Sequence, residues 1–216
     1  IQGPMPRTVL PAPSGAQVIP DVPNFAWAEY GMRIGFWRLK SVLDKHKIKA
    51  TLAINGSVCL TYPRIAEASR EAGWEFMGHG FIQKPMHQLD DQREAIRKSV
   101  EVIRNFTGKA PSGWLGPGLT ETPETLDLLA EAGFKYVADW VNDDQPYKIR
   151  TSHGPLFSLP YTVELNDIPM MVIQHHDAEE FFRRTRDQFE TLSAQGAKSA
   201  RVMAIAVHPH ISVVQH

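Results

Sequence analysis

Three histidines follow predicted strands, where an α/β fold usually places its functional groups. His79 lies between two glycines, His208 precedes a proline, and His175 begins a His-His pair after a short apolar run. Because the carboxyl ends of parallel strands meet at one edge of a sheet, we expect these imidazoles to converge. Imidazole can bind a metal or transfer a proton near neutral pH. The pattern therefore indicates metal-assisted or general acid–base hydrolysis.

A carboxylate and two tryptophans accompany these histidines. Asp139 ends a predicted strand and is followed directly by Trp140, while Trp114 lies in an earlier strand. Asp139 could cap the next turn or orient an imidazole, and both interpretations stay open. His208 could be structural, since the proline after it fixes the backbone. The tryptophans could pack in the core or form the wall of a pocket.

Composition and missing motifs exclude several other functions. Lys and Arg number 23 against 24 Asp and Glu, so no basic field favours nucleic acid or an anionic membrane as a partner. The single cysteine, Cys59, rules out an intrachain disulfide and predicts a reducing, cytoplasmic location. The sequence has no phosphate-binding loop, dinucleotide fingerprint, Gly-x-Ser-x-Gly elbow or His-Glu-x-x-His helix.

Short apolar runs alternate with helical periodicity along most of the chain, which predicts crossover connections and a largely parallel sheet. The predicted strands cover residues 50–54, 74–77, 113–115, 135–138, 170–173 and 201–207. Residues 1–30 begin with six prolines in 23 positions and are interpreted as an extended arm. Residues 31–216 are interpreted as one domain. The arm could wrap around a neighbouring copy, which predicts a homo-oligomer.

The order of these segments resembles the polysaccharide deacetylase family, in particular its allantoinase-like and peptidoglycan-deacetylase-like branch. The segment 76–80, which contains His79, resembles the second family motif, whose first histidine binds metal. Residues 113–117, 139–147 and 206–209 are similar to the third, fourth and fifth motifs. The resemblance implies an α/β fold, a distorted (β/α) barrel of about seven mostly parallel strands.

The sequence departs from the family pattern at several positions. Gln83 stands where the family has a second metal-binding histidine, and Leu115 stands where the third motif has an arginine. The family's first motif, an Asp-bearing strand that supplies a base and a metal ligand, is absent from this sequence, as is a helix after His208. The domain is therefore expected to lack its first strand and last helix. Allantoinase-like members are similarly altered.

The resemblance implies a hydrolase that acts on a non-peptide carbon–nitrogen bond of a cyclic amide, a ureide or an N-acetylated sugar. It makes His79 a metal ligand or water-orienting group, His208 the general acid and Asp139 the residue that orients an imidazole. Zinc or another divalent metal is the implied cofactor, although glutamine is a weaker ligand than imidazole. The residues expected to bind substrate are Gln83, Trp114, Gly116, Pro117, Trp140, Tyr161, Asn166 and His175.

Two alternatives differ in class from this hydrolase. One is a non-catalytic binding protein on an altered deacetylase scaffold, favoured by Gln83, Leu115 and the absent first motif. The other is a barrel aldolase or isomerase, which would need a Schiff-base lysine or a phosphate-binding glycine loop at a strand end. We find neither in the sequence.

Overall fold

A computed structural model describes residues 20–213, which form two compact units. The sheet unit contains residues 49–162 and 187–204, and the helical unit contains residues 20–48, 163–186 and 205–213. The predicted domain at 31–216 thus includes parts of both units, interleaved along the sequence. This interleaving explains why no single shift in composition marks a boundary.

All six strands of the described residues belong to the sheet unit. They are β1 (Thr51–Ile54), β2 (Glu75–Gly78), β3 (Gly113–Trp114), β4 (Tyr136–Val137), β5 (Tyr147–Thr151) and β6 (Gly154–Ser158). Their order in the sheet is β1-β2-β3-β4-β6-β5, and every pairing is parallel except the β5–β6 hairpin. The predicted α/β class and mostly parallel sheet are therefore confirmed.

The helices follow the end signals in their sequences. They are α1 (Val22–Tyr30), α2 (Phe36–Lys45), α3 (Val58–Thr61), α4 (Pro63–Glu71), α5 (Gln92–Thr107), α6 (Thr125–Glu131) and α7 (Ala178–Gly196). At the start of α5, the Asp91 carboxylate accepts a hydrogen bond from the Glu94 amide at 2.9 Å. At its end, Gly108 adopts the left-handed conformation, with φ of 81°.

Apolar side chains from strands and helices form the core of the sheet unit. One cluster contains Trp114, Ile96 and Leu129, contributed by β3, α5 and α6. Its residues are almost completely buried, and the burial fixes β3 against the helices. The loops that carry the candidate site begin directly after these buried strands.

The helical unit brings glycine backbone against a histidine-bearing turn. Residues Gly31–Gly35 form a π-helical turn between α1 and α2. A Cβ atom added at Gly35 would lie 2.1 Å from the Pro209 carbonyl oxygen, and one at Gly31 would lie 2.9 Å from His210 Cβ. Only glycine allows this approach, which positions the segment around His208.

Three elements have a different structure from the one that the sequence predicts: the arm at 1–30, the run at 170–173 and the last strand at 201–207. Residues 22–30 of the predicted extended arm form α1, because Asp21 caps the Asn24 amide and Pro23 fits the first helical turn. The rest of the arm, residues 1–19, lies outside the described residues. The apolar run Met170–Ile173 lies in the π-helical turn Ile168–Ile173, where Pro169 is tolerated because it occupies the start.

The predicted last strand, 201–207, is not a strand in the structure. Within the sheet unit, the Val202 amide donates to the Asp144 carbonyl at 2.9 Å and the Ala204 amide donates to Thr162 Oγ1 at 3.2 Å. Ala206, in the helical unit, forms a single parallel bridge with Asn166. Because these amides bond to separate segments, no continuous ladder forms.

No helix among residues 20–213 is long and apolar enough to cross a membrane.

Candidate functional site

His79 lies directly after β2, and its main chain is held on both sides. Its amide donates to the Ile54 carbonyl at 3.1 Å, and its carbonyl accepts a hydrogen bond from the Asn55 side chain. Gly80 follows with φ of 74°, a conformation that glycine adopts without strain. The strand and this turn together fix the direction in which the imidazole leaves the backbone.

The His79 ring is held by a main-chain oxygen. Its Nδ1 atom lies 2.6 Å from the Leu115 carbonyl oxygen, at the end of β3. Because a carbonyl oxygen can only accept, Nδ1 must carry the hydrogen. The neutral ring then has its lone pair on Nε2, which is the tautomer that can bind a metal or accept a proton from water.

Asp139 follows β4 and is almost completely buried, at 8% exposure. Its Oδ1 atom accepts a hydrogen bond from the Gly116 amide at 2.6 Å, while its Oδ2 atom has no hydrogen-bond partner. Burial first, and then the nearby Glu121 carboxylate, raise the pKa of Asp139 well above its ordinary value, while the Gly116 bond opposes them. The pKa of Glu121 is also raised, mainly by burial.

Trp140 extends this carboxyl pair toward the surface. Its indole Nε1 donates to Glu121 Oε1 at 3.2 Å, and its side chain is 42% exposed. The exposed ring face fits the predicted role as a wall that contacts a ligand. The indole bond to Glu121 sets the ring's orientation.

The helical unit contains a second arrangement, around His208. The fully buried Asp167 accepts from His208 Nδ1 at 2.5 Å through Oδ1. Its Oδ2 accepts from the His208 amide and from Ser212 Oγ, each at 2.6 Å. A carboxylate in this position keeps the hydrogen on Nδ1 and leaves the lone pair of the neutral ring on Nε2. The His208 side chain is 37% exposed, so a proton can be exchanged through Nε2.

A further histidine packs beside His208. The ring of His210 lies 5.9 Å from the His208 ring and 5.3 Å from the Trp27 ring, measured between centroids. Burial first, and then the charge of His208, lower the pKa of His210, while Asp167 acts in the opposite direction.

Other predicted site residues lie near these two groups, each in its own unit. In the sheet unit, Gly116 and Pro117 are buried in the loop after β3, and Tyr161 packs against the cluster of Met77, Leu115 and Ala138. Gln83 is exposed after the His79 turn. In the helical unit, Asn166 Oδ1 accepts from the Ile168 amide at 2.9 Å, directly before Asp167.

Two predicted substrate-binding residues need correction. Trp114 has no exposed surface and packs edge-on against Phe134 with centroids 5.4 Å apart, so it belongs to the core. His175 does not end a strand: it follows a π-helical turn, is exposed, and has a positive φ of 58°. The convergence of His79 and His208 stays a prediction, because the two histidines belong to different units.

Comparison with known proteins identifies the family. The polysaccharide deacetylase profile matches residues 29–137, about half of the chain. The chain belongs to the polysaccharide deacetylase family. The predicted resemblance is thereby confirmed.

Individual members of the polysaccharide deacetylase family support this assignment. A Schizosaccharomyces pombe protein assigned to the polysaccharide deacetylases is 29% identical over 199 residues, which cover 83% of this chain and 62% of that protein. The peptidoglycan deacetylase of Helicobacter pylori is 33% identical over 138 residues, which cover 62% of this chain and 46% of that enzyme. The chain thus spans about half the length of the curated relatives it matches.

Solved structures show the same fold. The crystal structure of Puue allantoinase superposes with a TM-score of 0.80 and 28% identity, covering 86% of this chain and 63% of that one. A probable polysaccharide deacetylase from Pseudomonas aeruginosa PAO1 superposes with a TM-score of 0.81 and 28% identity, covering 91% and 66%. The similar structures thus include both an allantoinase and a probable polysaccharide deacetylase.

Family membership favours a divalent metal in general, but the side chains described do not form a complete site for one. Among residues 20–213, no three His, Cys, Asp or Glu side chains come together as a metal-binding group. The second histidine position of the deacetylase motif holds the neutral Gln83. His79 is the one motif position of this pair that holds a metal-binding side chain, so we derive no step of the reaction through a metal.

Two of the residues described above, one in each unit, were missed by sequence reasoning. Asp167 carried a signal, because it directly follows Asn166, one of the residues expected to bind substrate, but no strand end pointed to it. Glu121 carried little signal: it lies five residues after Gly116, and only the path of that loop brings it to Asp139.

Proposed function

We propose that the protein hydrolyses a carbon–nitrogen amide bond in an N-acetylated sugar or in a small cyclic amide or ureide. The observation that carries the proposal is the His208–Asp167 pair. A partly exposed imidazole whose Nδ1–H is bound to a buried carboxylate is suited to give a proton from Nε2. Family membership supports the same reaction class.

Amide hydrolysis has three chemical requirements: an activated water, a stabilised tetrahedral oxyanion, and a proton for the departing nitrogen. We assign the last of these to His208, with Asp167 as its positioning residue. His79, with its lone pair on Nε2, would orient the attacking water. If metal analysis finds zinc, His79 Nε2 is the expected ligand among the described residues.

The remaining partners follow from chemistry and composition. Trp140 and Tyr161 would contact the sugar or amide, and the near-zero net charge of −1 favours an uncharged small substrate over nucleic acid. A cytoplasmic location is part of the same proposal. We also propose a homo-oligomer, which light scattering after size exclusion would contradict by giving the mass of one chain.

The test of the hydrolase is His208→Ala, assayed against oligomers of N-acetylglucosamine and a panel of small cyclic amides and ureides. Release of acetate or of free amine identifies the substrate, and we expect turnover to fall by about 10²-fold or more in the variant. His153→Ala is the matched control, because His153 is exposed in the β5–β6 turn. Unchanged turnover in His208→Ala would reject the acid role.

A non-catalytic binding protein is the second candidate. Gln83, Leu115 and the absence of a three-residue metal group among residues 20–213 favour it. Such a protein would bind an N-acetylated sugar through Trp140 but release neither acetate nor amine. Calorimetric binding without product release in the same assay would select this candidate over the hydrolase.

A further inference from the structure

The peptide group between Leu115 and Gly116 is hydrogen-bonded at both ends to candidate site residues. Its carbonyl oxygen accepts from His79 Nδ1 at 2.6 Å, and its N–H donates to Asp139 Oδ1 at 2.6 Å. We propose that Asp139 and Glu121 are positioning residues for His79, acting through this peptide group. The reaction that His79 serves rests on the proposed function, whereas the hydrogen-bonded relay itself does not.

A hydrogen bond at one end of a peptide group changes the polarisation of the group, and this affects the hydrogen bond at its other end. When a carboxylate accepts from the N–H, the amide is polarised and its carbonyl oxygen becomes a stronger acceptor. The Leu115 oxygen then holds the His79 Nδ1–H more firmly. This keeps the hydrogen on Nδ1 and the lone pair of the ring on Nε2.

The local backbone is built to keep this peptide group in place. The Leu115 amide donates to the Gly78 carbonyl at 2.9 Å, which continues the pairing between β2 and β3. A Cβ atom at position 116 would lie 2.7 Å from the Thr120 carbonyl oxygen and 3.0 Å from Asp139 Oδ2. Glycine at position 116 is therefore what lets the carboxyl group reach the amide.

Glu121 determines how much negative charge Asp139 carries. Asp139 Oδ2 is buried without a hydrogen-bond partner, so nothing on that side stabilises its charge. The Glu121 carboxyl, held by Trp140 Nε1, is a second acid beside it. Repulsion between the two carboxylates disfavours a negative charge on both, so Asp139 carries less of the charge when Glu121 is ionised.

The relay predicts opposite effects for two conservative variants. In Glu121→Gln the charge is confined to Asp139, so the Leu115 oxygen becomes a stronger acceptor for His79. In Asp139→Asn the acceptor for the Gly116 amide is neutral, so the Leu115 oxygen becomes weaker. Glu124→Gln is the matched control, because Glu124 is exposed at the start of α6.

The readout is the His79 Nδ1–H proton resonance, measured by NMR on ¹⁵N-histidine protein. A stronger hydrogen bond shifts it downfield. We expect a downfield shift in Glu121→Gln, an upfield shift in Asp139→Asn, and no shift in the control. Turnover of Asp139→Asn should fall by about 10- to 100-fold, as for other groups that orient a functional histidine.

Shifts in the same direction, or no shift in either variant, would overturn the relay, as would a wild-type ring with its hydrogen on Nε2. If Asp139→Asn does not fold, Glu121→Gln decides alone: a downfield shift supports the relay, and any other result overturns it. The opposite shifts combined with a wild-type protein that releases no acetate or amine would reject the proposed function and leave the relay standing.

Discussion

At the residue scale, Asp167 is the group on which His208 most depends. Both of its carboxylate oxygens accept hydrogen bonds, and three donors surround it in a fully buried position. Asp167→Asn would place an NH₂ group against one of these donors. The backbone amide of His208 cannot become an acceptor, but its imidazole can, by moving the hydrogen from Nδ1 to Nε2.

We therefore expect Asp167→Asn to trap His208 in the wrong tautomer. Turnover should fall by about 10²-fold or more, since the neutral ring would present Nε2–H instead of a lone pair that can pick up a proton. ¹⁵N NMR of His208 gives the tautomer directly. Ser212→Ala is the control, because it removes one bond to Asp167 but leaves the His208 contacts; an equal loss in this control would contradict the argument.

The Asp139–Glu121 pair predicts a pH dependence of stability. Burial raises both pKa values, so between the ordinary and the raised pKa the folded state holds more protons than the unfolded state. The free energy of unfolding therefore decreases as the pH rises through this window. Glu121→Gln removes one of the two acids and the repulsion on the other, so we expect a smaller decrease.

Urea unfolding at pH 5 and pH 8 measures this difference. The lowered pKa of His210 acts in the opposite direction, because the unfolded state binds its proton more readily below about pH 6.5. Comparison of the variant with wild type cancels that contribution. The exposed control Glu124→Gln should keep the wild-type slope, and an identical slope in Glu121→Gln would count against the buried acid pair.

At the element scale, the helices and strands that could be predicted are those whose first and last residues are typical of helix or strand ends. The helix at 92–107 was predictable because its apolar stripe ends at Gly108, and the strands at 51–54 and 75–78 because they are short and apolar between such helices. The short apolar runs 170–173 and 201–207 lack these signals, and the prediction of strands there is wrong. Their structure depends on hydrogen bonds to distant segments, which local sequence does not reveal.

The candidate site residues also separate into those that carry a signal in the sequence and those that do not. His79 and Asp139 were found because each directly follows a strand, and His208 because it follows an apolar run. Asp167 and Glu121 lie in turns, and only the fold brings them to His208 and Asp139. Sequence reasoning thus found candidate residues that directly follow a strand or an apolar run, and the structure was needed to find those that lie in turns.

The π-helical turn at 31–35 gives the sharpest prediction about an element. In Gly35→Ala the new methyl group would overlap the Pro209 carbonyl oxygen, so the turn and the segment 208–210 would have to separate. We expect a loss of about 1–3 kcal/mol in the free energy of unfolding, the usual range for overpacking. Denaturant unfolding measures this loss.

The control for this prediction is Gly196→Ala, at the end of α7, where an added Cβ meets nothing within 4 Å. Because alanine restricts the unfolded chain more than glycine does, this variant should be neutral or more stable by about 0.4–1 kcal/mol. Equal stability of the two variants would show that the contact between the turn and Pro209 is not tight.

At the scale of the whole molecule, the remaining question is whether His79 and His208 serve one reaction. They belong to different units, and each has its own hydrogen-bonded support, Leu115 for His79 and Asp167 for His208. A double-mutant cycle with His79→Ala and His208→Ala tests this directly. Groups that act as a unit in one step are strongly non-additive, because the second loss removes nothing more once the first has occurred.

We expect the double variant to turn over the identified substrate about as slowly as the slower single variant. The measured quantity is kcat/KM for the four proteins of the cycle, with circular dichroism to confirm that each is folded. Losses that multiply would mean that the two histidines contribute to turnover independently, which would contradict the expected coupling. A loss in only one of the two single variants would mean that the other histidine serves no step of this reaction.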